Sequence, residues 1–119
     1  MDEDVRRAIA ALDEGADPMH LDHTPAVAEL SAMGLRAIGP LTEPLASESQ
    51  ETRLHAQRAW EGVVYGRHGF VGGQGFPSAE AEAAAVAELR EVAYSFEDGP
   101  EERAAAIERL RAWLASARP

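Results

Sequence analysis

Residues 33–65 read MGLRAIGPLTEPLASESQETRLHAQRAWEGVVY, and two helical stripes lie inside them. In the first half, Ile38, Leu41 and Leu45 fall at i, i+3 and i+7, which puts three aliphatic side chains on one helical face. Ser47-Glu48-Ser49-Gln50 then interrupts the pattern with a polar turn. A serine hydroxyl accepts from an amide that a helix start leaves unpaired, and Ser47 with Gln50 has capping-box spacing. The second half places Thr52, Ala56, Ala59, Trp60 and Val63 at i, i+4, i+7, i+8 and i+11, one continuous face. The stretch therefore reads as two antiparallel helices joined by a tight turn. A single helical hairpin cannot bury such faces alone, so the chain must supply neighbours.

Toward the N-terminus, residues 3–14 form an amphipathic pattern with Val5, Ile9 and Leu12 on one side. Asp2, Glu3 and Asp4 stand at its start, where the helix dipole favours negative charge, and Gly15 is a natural stop. A loop from Ala16 to His23 leads to Thr24-Pro25, a capping threonine before a proline at the first helical position. Val27, Leu30 and Met33 continue the helix, which Gly34 and the Gly39-Pro40 pair should bend or divide.

Beyond Tyr65 the segment GRHGFVGGQGFP holds five glycines in twelve residues and is expected to be a loop pinned by Phe70 and Phe76. Ser78 caps a helix of about 79–95 carrying Val86, Leu89, Ala93 and Phe96. After Asp98-Gly99-Pro100, a last helix of about 100–116 buries Ala106, Leu110 and Trp113, widened by Ile107 and Leu114. Arg109, Arg111 and Arg118 suit the dipole at its C-terminal end.

Arg6, Arg53 and Arg103 each open a helix whose apolar residues follow three and six or seven positions later. Their separations, 47 and 50 residues, lie at or above the helical-repeat period of about 40–47. The hairpin resembles a HEAT-type repeat. The residues that carry the likeness are Gly34, Ala37-Ile38-Gly39-Pro40-Leu41 and Leu45, then Arg53, Ala56, Ala59 and Trp60. It departs from the pattern at Ser47 and Ser49, where the family has aspartate in the turn, and at Thr52, a position usually aliphatic.

The resemblance implies an all-α chain, a short right-handed stack of antiparallel helical hairpins in one HEAT-like domain over 1–119. Its parts would be a half repeat at 3–14, a hairpin at 24–65, the glycine-rich loop at 66–77 and a hairpin at 78–116. It further implies a non-enzymatic protein–protein interaction or scaffolding module without a cofactor. In such stacks the second helix of a hairpin lines the concave face, which nominates Leu54, Arg58, Glu61 and Tyr65 as the protein-binding stripe. Two other readings stay open: a lyase-like or cofactor-handling enzyme on the same scaffold, as in phycobilin lyases, and a self-associating structural subunit. DNA glycosylases with HEAT-like hairpins need a cationic face that this chain lacks.

The composition limits the partners. The net charge is −10, from 21 acids against 11 arginines and no lysine, and both halves are acidic. Phosphate backbones and anionic membranes are therefore poor partners, so neither nucleic acid nor membrane binding is expected. The chain has no cysteine, which excludes thiolate metal sites. No apolar run reaches a membrane span and MDEDVRR is unlike a signal peptide, so a cytoplasmic location is expected. Abundant Ala, Arg and Gly without Lys or Asn suggests a G+C-rich bacterial source.

Chemistry-bearing patterns are sparse. His20, Asp22 and His23 are ligand types, with His55 or His68 as further donors, but they lack metal-site spacing and read as a polar loop. No metal is expected. Gly66–Gly75 lacks the lysine and the strand that a phosphate-binding loop needs. Glu80, Glu82, Glu88, Glu91, Glu101, Glu102 and Glu108 read as solvated helix faces, and Trp60 and Trp113 as core.

Overall fold

The computed structural model describes residues 2–117, which form six α-helices and one 3-10 turn. The helices are α1 (Glu3–Ala10), α2 (Pro25–Met33), α3 (Ile38–Leu45), α4 (Gln50–Arg67), α5 (Ala79–Val92) and α6 (Pro100–Ser116), with the 3-10 turn at Gly34–Ala37. Among the described residues there is no β-strand, only isolated bridges at Asp17–His20 and Val71–Gly75. Among the described residues no helix is long and apolar enough to cross a membrane. Arg118, expected to act on the last helix, lies outside the described residues.

Most helix starts follow from local chemistry. Asp2 caps α1 through the amides of Asp4 and Val5, Thr24 caps α2 through Val27, and Ser78 caps α5 through Ala81. The start of α4 differs from the expectation. Ser49, not Ser47, is the N-cap and accepts from the Thr52 amide at 3.2 Å. Ser47 instead accepts from the Ser49 amide at 3.0 Å, so it shapes the turn one step earlier.

Two helices are shorter than their apolar patterns. α1 ends at Ala10, and Leu12 is buried from the turn that follows. Val5 and Ala8 make the helix's core face, leaving Ile9 half-buried. α5 stops at Val92 because Ala93 takes a left-handed conformation with φ of 55°. Ala85 and Val92 are buried, Val86, Leu89 and Phe96 are half-buried, and Ala93 is exposed. The chain turns here because Tyr94 must reach the core, where its hydroxyl donates to the Leu45 carbonyl at 2.6 Å. Burial pushes that phenol up to about 12. Arg109 Nε donates to the Val92 carbonyl at 2.8 Å, satisfying a helix end that lacks a glycine cap. Between α2 and α3 the divider is Gly34, with φ of 75°, while Gly39 and Pro40 sit inside the first turn of α3.

α4 is the central element, packed against α2, α3 and α5, and α6 closes the bundle against α3 and α5. Trp60 on α4 meets Trp113 on α6 edge to face, with ring centroids 4.8 Å apart. Leu30, Ile38, Leu41, Leu45, Ala56, Val63 and Leu110 surround them as expected, whereas Ile9 and Leu89 are half-buried. Thr52, at the foot of the expected stripe, is half-buried, and Arg53, His55 and Val64 are buried in its place.

Candidate functional site

α2 and α4 pack tightly at Gly62, where a Cβ would come within 2.0 Å of Ser31 Oγ. Only glycine fits there. Ser31 Oγ itself donates to the Val27 carbonyl at 2.8 Å, so it is held within its own helix. Above this contact runs an open groove of about 490 Å³. Ala28, Ser31 and Ala32 from α2 line it together with Arg58, Glu61, Gly62, Tyr65 and Gly66 from α4. The loop before α2 contributes His23, and the glycine-rich loop contributes Phe70 and Gly72.

Three of the four stripe residues thus share one groove. Leu54 is half-buried but is not part of that lining. None of the four is fully exposed. Arg58 donates from Nε to Asp22 at 2.8 Å and from a terminal nitrogen to Glu61 at 3.0 Å. The other Glu61 oxygen accepts from Gln57 at 3.0 Å. The Arg58 guanidinium holds the Asp22 carboxyl below its ordinary value. Tyr65 packs with Phe70 and Phe76, its ring centroid 5.6 and 5.4 Å from theirs, and those two rings lie 5.1 Å apart. Burial raises its phenol, and the charges of Glu61 and Glu82 add to the rise.

The loop before α2 is fixed by a polar chain that local pattern reading missed. Thr52 Oγ1 on α4 donates to Asp13 Oδ2 at 2.6 Å, and Asp13 Oδ1 lies 2.6 Å from Nδ1 of the fully buried His55. His55 Nε2 donates to the Leu21 carbonyl at 2.9 Å, since a carbonyl can only accept. Thr24, besides capping α2, donates to the Leu12 carbonyl at 2.8 Å. The available signal was the one-turn spacing of Thr52 and His55. Their partner Asp13 lies 39 and 42 residues away, where no local pattern reaches.

The glycine-rich loop is ordered by different means. Val71 and Gly75 exchange backbone hydrogen bonds at 3.0 and 2.9 Å, closing a tight turn in which Gly73 and Gly75 have φ of 82° and 85°. Val71 stands on this turn 51 % exposed and Phe70 39 % exposed, while Met19 and Leu21 on the other loop are 83 % and 67 % exposed. Among the described residues these four are the large apolar side chains left in solvent. All belong to the two loops that border the groove.

The remaining histidines point elsewhere. His20 faces Asp17 at 3.5 Å, Asp22 is committed to Arg58, and His68 pairs with Glu88. Among the described residues no group of three or more His, Asp or Glu side chains is placed to hold a metal ion. Glu88, read as solvated, is half-buried and accepts from Trp113 Nε1 at 2.7 Å as well as pairing with His68. Arg67 lies over the same indole, 5.8 Å from its centroid. This cluster ties the end of α4 to α5 and α6.

The three arginines of the repeat pattern also part company. Arg53 is buried and donates to the carbonyls of Ser47 and Phe96 at 2.8 and 3.0 Å. Arg103 likewise donates to a carbonyl just before its own helix, that of Asp98. Arg6 instead pairs with Glu3 at 3.1 Å on the surface. No protein-family model, curated protein or solved structure matches the chain.

Proposed function

We propose that this chain is a non-enzymatic protein–protein interaction module, built as a short HEAT-like stack of helical hairpins. The groove between α2 and α4 is its binding face. The observation that carries the reading is where the exposed apolar residues lie. Met19, Leu21, Phe70 and Val71 stand on the two loops that flank one groove, and that groove is lined by Arg58, Glu61 and Tyr65. Arginine and aromatic side chains beside small-residue floors are the composition from which interface hot spots are drawn. Apolar side chains scattered singly would need no explanation, but their confinement to these two loops does. The repeat reading is supported by the shared task of Arg53 and Arg103, each of which donates to a carbonyl five or six residues before it.

The test is capture by the immobilised chain, with wild type compared against a Leu21→Ser/Val71→Ser double variant. Both substitutions fall on exposed positions, so the melting temperature should hold. The expected result is a set of proteins retained by wild type and depleted on the variant. Equal retention by both, or no retention by either, would refute the assignment.

A further inference from the structure

We infer that the groove between α2 and α4 accepts a cationic segment of a partner protein, one large apolar side chain flanked by lysine or arginine. This rests on the interaction reading above and adds the partner's chemistry. Much of the groove lining has little side-chain bulk, because Ala28, Ser31, Ala32, Gly62 and Gly66 are all small. That shape admits a side chain from outside. Tyr65 and Phe70 both line the groove, so an apolar anchor or an alkyl-chain cation seated there would meet aromatic side chains.

Charge decides which segment. Arg58 is the arginine of the lining, and its Nε and one terminal nitrogen are already engaged by Asp22 and Glu61. Two carboxylates, Asp22 and Glu61, therefore close on one guanidinium at the groove, in a chain whose overall charge is −10 with no lysine. An acidic or phosphorylated segment would meet repulsion at both ranges, local and global. A basic segment would be steered in by the whole molecule and held by the local excess.

The experiment is selection from a displayed random-peptide library, with the full chain as bait and Ala32→Arg as the competing bait. Ala32 is an exposed helical residue of the groove lining, so the arginine blocks the groove and adds a like charge while leaving the core untouched. Wild type should enrich peptides that carry at least two Lys or Arg around one Leu, Phe or Trp. Those peptides should bind Ala32→Arg more than about tenfold more weakly. Raising salt from about 50 to about 500 mM should weaken binding to wild type. Enriched peptides that are neutral or acidic, yet lost on Ala32→Arg, would overturn the cationic class while leaving the groove as a protein-binding face. Basic peptides that bind both baits equally would reduce the effect to bulk charge and overturn the site. No enrichment at all would also overturn the inference, with the interaction reading still judged by its own capture experiment.

Discussion

Residues 11–24 and residues 68–78 each join two helices and each bring one wall to the same groove, yet different forces hold them. The first segment is tied down by directed polar contacts: Thr52 and His55 to Asp13, His55 to the Leu21 carbonyl, Arg58 to Asp22 and Thr24 to the Leu12 carbonyl. From Gly69 to Pro77 the second has no titratable side chain. It relies on three aromatic rings and on glycines at positive φ. The comparison teaches that one wall depends on the protonation and identity of single atoms. The other depends on apolar area and backbone freedom, and the two should respond to different perturbations.

The largest effect should come from the core that both walls lean on. Trp60→Ala should cost about 3–5 kcal/mol and loosen the two loops together, as denaturant unfolding and amide exchange would register. His55→Ala should cost about 3 kcal/mol, since it leaves the Asp13 carboxylate and the Leu21 carbonyl without their buried partner. Here exchange should accelerate in residues 13–24 while residues 69–77 keep their protection. Equal acceleration in both would erase the distinction. Phe76→Ala should invert the pattern at about 2 kcal/mol, less than a fully buried phenylalanine because the ring is half-buried.

Gly75→Ala should cost about 1–2 kcal/mol, from backbone conformation alone, because the space around its Cβ is open. A Gly75→Ala variant as stable as wild type would mean that the turn is not held at positive φ. The smallest effect is acid loosening. The Asp22 pKa is lowered from 3.8 by Arg58, so its contribution is present above that value and is lost as pH falls through the depressed one. The pair is partly exposed and worth under about 1 kcal/mol. Below about pH 4 the amide resonances of residues 19–23 should move before those of residues 69–76.

Much of the fold was legible because its signals are local. Thr24-Pro25, Ser78 and Pro100 mark helix starts by capping chemistry, and the stripe through Ala56, Ala59, Trp60 and Val63 identifies the buried side of α4. The errors arose where a tertiary contact overrode local pattern. The spacing of Val86, Leu89, Ala93 and Phe96 carries the expected helix to about residue 95, but α5 ends at Val92, where Tyr94 is drawn to Leu45 and forces an early turn. The spacing of Ser47 to Gln50 points to Ser47 as the cap, but Ser49 takes that place and Ser47 shapes the turn before it.

The groove was legible in part. Helical spacing puts Leu54, Arg58, Glu61 and Tyr65 on one stripe, of which the last three line one groove, yet it could not show that Asp22 would meet Arg58 or Phe70 meet Tyr65. His55 was weighed only as a metal donor. Its buried position depends on Asp13, and a pairing across 42 residues leaves no trace in either helix alone.

The most direct test of the account is hydrogen exchange of the full chain with and without a protein captured by it. The two loops are walls of one binding groove on this account, so residues 19–24 and 66–76 should gain protection together, along with the α2 segment from Ala28 to Ala32. Protection confined to one loop, or falling instead on α1 or the outer face of α6, would contradict it.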